Sequence, residues 1–407
     1  MKEIENGVVA PKGFTANGIH AGIRANKTKI DLAVILSEVL GTSAAVYTTN
    51  KVKAAPIYVT QENLSDGYAQ AIIVNSGNAN TCNANGIDIA KQTCDILAKN
   101  LNINANDIIV ASTGVIGMPM SIEPFKTGIP EIIKGLGNKK ENSELANQGM
   151  MTTDTVMKNI AIEFELGGKI CRMGAMTKGS GMIAPNMATM LCFVTTDAAI
   201  SSNVLKQALS EAVSDSFNML TVDGDTSTND TLAIIANGLC GNKEIDVAAG
   251  KDYETFLQAL KYVTIKLAKK MAKDGEGATK LMVVSVKGAK TTNDAKIVAK
   301  SVASSSLLKC AIFGADANWG RVLCAIGYSK ADVDVNKVFM AFKSSKGTVV
   351  TCKNGAGVEF SEEKAKEILL EDEITIEIDL CDGEGVAEAF GCDLTYDYVK
   401  INGDYRS

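Results

Sequence analysis

Met190–Val194 reads MLCFV, a run with no polar side chain in it. A strand carries such a run only where both of its faces are covered, so the run predicts an interior strand of a layered protein. The ten residues before Thr189, GSGMIAPNMA, are broken by Gly179, Gly181, Pro185 and Asn186. That loop delivers one hydroxyl, Thr189, to the head of a buried strand. Thr189 reads either as a β-former at a strand end or as a nucleophile on a rigid element.

The rest of the chain fits a layered protein. Strand-like and helix-like segments alternate through 407 residues, with 36 glycines mainly at the joints. AIIVNSGNAN (Ala71–Asn80) is strand-like and leads through a turn to a helix near Ile87–Leu101. Leu205, Leu209, Val213 and Phe217 make one apolar helix face, with Ser201 or Ser202 as its cap. Phe256, Leu260, Val263, Leu267 and Met271 make another, stopping at Gly275. From Leu281 the pattern restarts as strand, helix, helix, strand, strand, helix, strand. Ser361–Glu373 is a capped amphipathic helix and ITIEIDL a half-buried strand. The class is mixed α and β, with helices packed outside layered sheets. A boundary near residue 280 separates 1–280 from 281–407.

Composition excludes several function classes. Hydrophobic residues at 46% and charged residues at 22% are those of an ordinary globular protein. No run approaches the ~18 apolar residues of a membrane span, and MKEIENGVVA lacks the order of a signal peptide. A net charge of −6 without a basic cluster argues against nucleic acid and anionic membranes. The ten cysteines are scattered and form no CxxC pair. They read as reduced core residues of a cytosolic protein, with no support for a metal site. His20 is the only histidine. A lone histidine reads as structural, and no GxSxG surrounds a serine. An acyl-transfer site here therefore favours a threonine whose own α-amino group is the base.

Several stretches combine glycine with polar groups beyond what packing needs. TTNKVKAAP (Thr48–Pro56) and VNSGNANTCNANG (Val74–Gly86) place amides and hydroxyls just past strand-like runs. In ASTGVIGMP (Ala111–Pro119), Thr113–Gly114 is either a simple β-turn or a hydroxyl and a backbone N–H arranged as an oxyanion hole. TVDGDTSTND (Thr221–Asp230) fails as a calcium loop, having Thr228 where glycine is required and no closing glutamate. No P-loop occurs, and GEGVAEAFG has Glu388 at the third glycine position of a dinucleotide fingerprint. Glu276 in DGEGATK is either a solvated charge or a partner for a substrate amine. The tail INGDYRS follows CDLTYDYVK, which reads as strand-like and able to tie it down.

Taken in order, TTNKVKAAP, VNSGNAN, STGVIG, MTTDT (Met151–Thr155), KGSGMIAPNMATML, TVDGDTSTND, DGEGATK, GADANWGR (Gly314–Arg321) and GCDLTYDYVKINGDYRS resemble the ornithine acetyltransferase family over nearly the whole chain. The resemblance implies an α/β/β/α sandwich, similar to N-terminal-nucleophile hydrolases in logic but not in connectivity. It also implies self-cleavage between Ala188 and Thr189, which makes Thr189 the nucleophile and first residue of a second chain. Thr113 and Gly114 become the oxyanion-stabilising pair. Thr152, Lys178, Thr189, Glu276, Asn402 and Ser407 become the substrate-binding set, with Thr153 an alternative to Thr152. Where this chain ends in Ser407 the family often has threonine, which keeps the hydroxyl. The residues 281–407 would complete the substrate site through their tail.

The implied reaction moves acetyl from N-acetylornithine to glutamate through an acetyl-Thr189 ester, without metal or cofactor. Acetyl-CoA remains open as a second donor. The implied assembly is a cytoplasmic heterotetramer of two α and two β chains. Two other readings stand beside it: a self-cleaving N-terminal-threonine aminopeptidase or amidase with water as acceptor, and a non-enzymatic binding protein with Thr189 uncut.

Overall fold

In the computed structural model, which describes residues 1–24, 26–183 and 190–404, Leu191–Thr196 is a strand buried at every position. It is the interior strand that MLCFV predicts. The chain forms two units. One comprises Met1–Gly179, Asn186–Ser214 and Thr226–Leu267, the other Ser180–Pro185, Asp215–Asp225 and Ala268–Ser407. Residue 280 lies inside the second unit, which also recruits two short segments from earlier in the chain.

The strands of the first unit are β1 (Lys2–Ile4), β2 (Phe14–Ile19), β3 (Leu32–Tyr47), β4 (Tyr68–Asn75), β5 (Ile108–Ser112), β6 (Lys158–Leu166), β7 (Lys169–Lys178), β8 (Leu191–Thr196) and β9 (Thr231–Ala236). Its helices are α1 (Ala55–Asn63), α2 (Gly86–Leu101), α3 (Glu123–Lys134), α4 (Lys140–Met150) and α5 (Ser202–Ser214), while α6 (Lys251–Lys273) carries the chain into the second unit. The strand order is β1-β6-β7-β8-β9-β3-β4-β5, with β2 also on β3. The central strand, β3, serves two neighbourhoods. Leu32–Ser37 pairs with β2 and Leu32–Leu36 with β4; after a register break between Leu36 and Gly41, Gly41 and Thr42 rejoin the end of β4 and Thr42–Tyr47 pairs with β9. Such a bulge bends a strand. Gly41 permits the bend because a Cβ there would run into the Ala236 backbone.

The bend folds the sheet into two layers. One apolar cluster joins Ile35, Ile72, Val74 and Ile109 to Leu191, Phe193, Ala233 and Ile235, which belong to opposite halves. On the other face of β3–β5, residues such as Ile73 and Val110 pack on Val59, Leu97, Phe125 and Ile129 of α1–α3. On the far side, Phe256 of α6 meets Phe164 of β6 edge-on at 6.3 Å. Helices thus cover both outer faces, as the α/β/β/α expectation requires. Helix α2 matches the expected Ile87–Leu101 segment. Helix α5 ends at Ser214, and Phe217 instead sits in a separate 3-10 turn, Phe217–Met219.

The second unit has strands β10 (Leu281–Ala289), β11 (Phe339–Ser344), β12 (Gly347–Lys353), β13 (Ala356–Gly357), β14 (Glu373–Asp379) and β15 (Gly385–Cys392) in the order β13-β12-β11-β14-β10-β15. Its helices are α7 (Thr292–Ala303), α8 (Ser306–Phe313), α9 (Trp319–Gly327), α10 (Glu362–Leu369) and α11 (Tyr396–Gly403). All five start at a side chain that accepts a backbone N–H three residues on: Thr291, Ser305, Asn318, Ser361 and Thr395. Each such cap is worth about 1 kcal/mol. Two expectations are corrected here. GADANWGR supplies a further helix, α9, capped by its own Asn318. TYDYVK, expected as a strand, is helical because Thr395 caps it.

A third correction concerns the cysteines. Cys171 of β7 and Cys240, beyond β9, form a disulfide, with Cα atoms 5.4 Å apart and 69 residues between them in sequence. Spacing alone does not reveal this pair, because the sheet brings the two ends together. No described helix is long and apolar enough to cross a membrane. The remaining eight cysteines are free. Denatured, unreduced protein should therefore alkylate at eight thiols by mass, with two more after reduction. Ten before reduction would overturn the pairing.

Candidate active site

The first unit gathers its polar groups around one buried cation. Lys178 ends β7, where its register partner is Leu191 of β8, two residues along the chain from Thr189. Lys178 is only 9% exposed, and a buried ammonium needs compensation. Its Nζ donates to Thr113 Oγ1 at 3.3 Å, and it lies in the field of both Asp154 and Asp230.

Asp154 organises one side of this cation. Its Oδ1 accepts Gly179 N–H at 2.7 Å and Lys158 Nζ at 2.6 Å, and its Oδ2 accepts Thr152 N–H at 3.0 Å. The Asp154 and Lys158 side chains are fully buried. Burial alone would raise the Asp154 carboxyl, but the Lys178 and Lys158 charges and these hydrogen bonds outweigh it and hold the pKa at about 2. Thr152 is thus fixed through its backbone, beside the residue that anchors Lys178's strand end.

Thr113 and Gly114 follow directly on β5. The Thr113 N–H bonds Asn75 O at 3.0 Å. Behind it lies a buried amide network. Ser112 Oγ donates to Asn75 Oδ1 at 2.6 Å, and Asn229 Nδ2 donates to Ser112 O at 2.7 Å and Ala79 O at 2.6 Å. Thr81 and Thr228 hydroxyls both donate to Asn229 Oδ1. The VNSGNANT and TSTND segments therefore serve as the mount of the Thr113 turn. Gly114 has φ 133°, and a Cβ on it would run into the Gly77–Asn78 backbone. Its N–H meets no acceptor among the described residues. Lys178 donating into Thr113 Oγ1 leaves the hydroxyl proton free, so the pair offers two donors.

Asp230, the residue before β9, is 1% exposed. Burial pushes its carboxyl well up, opposed by the Thr48 hydroxyl, Lys178, Ser227 and the Met190 backbone N–H. Its Oδ2 has no hydrogen-bond partner among the described residues.

Within the second unit, Glu276 is 6% exposed and so is no solvated charge. Its N–H bonds Ser180 O at 2.9 Å, and its Oε2 accepts Asn402 Nδ2 at 2.8 Å. Gly181 lies so close that a Cβ there would strike the Glu276 carboxylate. Asp223 accepts Met182 N–H at 2.6 Å, Ile183 N–H at 2.8 Å and the Tyr398 hydroxyl at 3.2 Å. The carboxylate thereby secures the chain just before residue 184.

Of the expected residues, the structure joins Thr113 to Lys178 and Glu276 to Asn402. Thr152 reaches the first pair through Asp154. Ala188, Thr189 and Ser407 lie outside the described residues. His20 binds Lys29 O and the buried Asp31, a loop-shaping position. Asp154 and Asp230 have no assigned role in the sequence reading, and Asp223 enters it only as the opening of the calcium loop that fails. Each sits inside a quoted motif, but an aspartate's burial is invisible there. Among the described residues, the one cluster of three metal-ligating types is Cys171, Asp197 and Cys240, two of which are spent in the disulfide.

A layered core that brings a hydroxyl and a backbone N–H past the end of β5 to a buried ammonium at the end of β7 is equipment for acyl transfer. The sequence model of the ArgJ family matches residues 15–407. The arginine biosynthesis bifunctional protein ArgJ of Caldanaerobacter subterraneus subsp. tengcongensis is 49% identical over 408 residues, covering 100% of both chains. Its counterpart from Geobacillus kaustophilus is 47% identical over 98% of this chain and 96% of its own. A crystal structure of arginine biosynthesis bifunctional protein argJ from Bacillus halodurans is 47% identical, with a TM-score of 0.51 over 53% of this chain and 100% of that one. The chain belongs to the ArgJ family, the bifunctional enzymes of arginine biosynthesis.

Replacing Asp154 by Asn tests the buried pair, since it strands the Lys158 charge. Loss of one partner of such a pair costs about 3–5 kcal/mol, to be read from urea unfolding at pH 7. The folded pKa is depressed from 3.8 to about 2, so the carboxylate's contribution is full above pH 3.8 and lost as pH falls through about 2. The wild-type advantage over Asp154→Asn should shrink across that window. An advantage independent of pH would contradict the pairing.

Proposed function

We propose that this enzyme cuts its own chain between Ala188 and Thr189 and then carries acetyl from N-acetylornithine to glutamate on the Thr189 hydroxyl. The observation that carries this reading is the Thr113 hydroxyl, with the Lys178 ammonium on its oxygen, beside the open Gly114 N–H. An acyl transfer needs such donors where negative charge develops.

In the first half-reaction the Thr189 α-amino group, near pKa 8 in its ordinary state, accepts the hydroxyl proton as oxygen attacks the acetyl carbonyl carbon. The carbonyl oxygen takes the negative charge, stabilised by Thr113 Oγ1–H and Gly114 N–H. The C–N bond then breaks, ornithine's nitrogen takes the proton back from the α-ammonium, and an acetyl ester remains on Thr189. Glutamate's amine attacks that ester through the same oxyanion and restores the hydroxyl. One amide is broken and one made, so no ATP enters. Thr152 and Lys178 suit a substrate carboxylate; Glu276, Asn402 and Ser407 suit an amine. Lys178 also draws electron density from Thr113 Oγ1, making its proton a stronger donor. The proposed working form is a cytoplasmic heterotetramer of two α and two β chains.

Denaturing mass spectrometry should show two fragments, the second beginning with Thr189, and Thr189→Ala should remain uncut and inactive. Initial rates with both substrates should give parallel double-reciprocal lines, and donor alone should leave one acetyl group on the second fragment. Intersecting lines with no trapped acetyl would remove the covalent route, and release of free acetate despite glutamate would favour the amidase reading. Labelled glutamate offered with acetyl-CoA instead of N-acetylornithine decides whether a second donor is used. Thr113→Val keeps the shape but removes one donor, so kcat should fall about 10²–10³-fold with little change in KM. An unchanged kcat would make Thr113 a turn residue only.

A further inference from the structure

Lys178, Leu191 and Thr231 share one end of β7, β8 and β9, while Met173, Thr196 and Ala236 are aligned at the other. Just beyond that second row, Cys171, Asp197 and Cys240 come together. Their two sulfurs and a carboxylate oxygen all lie within 4.8 Å of one another, and all three residues are buried. Asp197 is held independently of the sulfurs: Oδ1 accepts Arg172 N–H at 2.7 Å and Oδ2 accepts Lys12 N–H at 3.0 Å. Each carboxylate oxygen keeps a second lone pair. Asn242 brings a fourth donor atom, its Oδ1 lying 3.9 Å from Cys171 Sγ. Its Nδ2 donates to Ala199 O and Lys243 O, and its Oδ1 accepts Ala199 N–H, which settles which end of the amide faces the sulfur. Cys240 and Asn242 alternate along the chain with the exposed Leu239, Gly241 and Lys243, so the group lies one loop beneath the surface.

We propose that, once the Cys171–Cys240 disulfide is reduced, Cys171, Cys240, Asp197 and Asn242 bind one zinc ion and clasp the ends of β7, β8 and β9 together. Structural zinc takes four tetrahedral ligands and favours thiolates. Thiolate bonds of about 2.3 Å and carboxylate bonds of about 2.0–2.2 Å put the ligand atoms roughly 3.5 Å apart. Reduction lets the two sulfurs separate to that spacing, and Gly238 and Gly241, both at positive φ, flank Cys240 and let its loop adjust. In the reduction, a dithiol gives two electrons and two protons to the sulfur–sulfur bond and leaves as its own disulfide. Zinc then bonds both sulfurs as their protons pass to water, and takes the Asp197 carboxylate as it stands. The zinc with its three anionic ligands carries one net negative charge, and Asp197 lies in the field of Lys12 and Arg172. A reducing compartment opens such a disulfide. The covalent bond and the zinc clasp are therefore alternative ties for the same strand ends.

The probe is cobalt(II), which enters tetrahedral thiolate sites and, unlike zinc, absorbs visible light. Full-length folded protein is reduced with a phosphine until a denatured sample alkylates at all ten cysteines, then titrated with cobalt without oxygen. One equivalent per chain should bind, with the visible bands of a tetrahedral site and a thiolate-to-cobalt charge-transfer band. Zinc should then bleach both, and unreduced protein should show neither. Cys171→Ser and Cys240→Ser should lose the signal, while Cys310→Ser, which removes an exposed thiol, should keep it. Asp197→Asn should raise the cobalt Kd about tenfold or more; if it fails to fold, the two serine variants decide. Zinc should also raise the Tm of reduced wild type and leave that of reduced Cys240→Ser unchanged. A disulfide that resists reduction in the folded chain overturns the proposal, as does reduced protein without the charge-transfer band, or a band that survives in Cys240→Ser. None of these readouts involves acetyl transfer, so the outcome is independent of the reaction proposed above.

Discussion

A lysine ammonium that is nine-tenths buried cannot stand without negative or polar partners, and Lys178 sets the terms for everything near it. Asp154 answers the charge and is itself bound to Lys158, Gly179 and Thr152. Asp230, just before β9, lies in its field, although burial pushes that carboxyl well up, and the Thr113 hydroxyl oxygen accepts its N–H. Three separate chain segments are therefore held by one charge. The amide network under Thr113 then keeps the hydroxyl and the Gly114 N–H at a fixed angle. Preorganisation of this kind is what lets a donor stabilise developing charge without first reorienting.

Where the signal was periodic or punctuated, the sequence was readable. MLCFV announced β8 because an uninterrupted apolar run has few folded alternatives. The face Phe256–Met271 announced α6, and Ser361 announced α10. The Thr395 cap is equally visible, yet the aromatic and β-branched residues of TYDYVK read as a strand, and one threonine does not outweigh them. Burial of acids was not readable. Glu276 follows a helix-ending glycine, an ordinary place for a solvated charge, and only the fold shows it covered and bonded to Asn402. Asp154 and Asp230 stood in plain view inside motifs, but their partners come from other strands. The Cys171–Cys240 bridge was hidden for the same reason, since its ends are distant in sequence.

The motifs divide by task once placed. STGVIG carries the Thr113 hydroxyl and the Gly114 N–H, while VNSGNAN and TSTND hold it in position from behind. A substitution at Asn229 touches no expected substrate residue, yet it would strip partners from Ala79, Ser112, Thr81 and Thr228 together. Motif membership alone cannot tell a reacting residue from its mount; the hydrogen-bond partners can.

The bend in β3 has a consequence for how the first unit comes apart. Leu32–Ser37 and Thr42–Tyr47 are one continuous strand, but they belong to different layers with a shared interior. Neither layer can open without dragging the other's central strand out of its ladder. Amide protons on β4 and on β9 should thus exchange through the same opening event rather than through separate local ones. A chain cut as proposed above would gain from this cooperativity. The polypeptide can be interrupted before β8 while the sheet still behaves as one mechanical body.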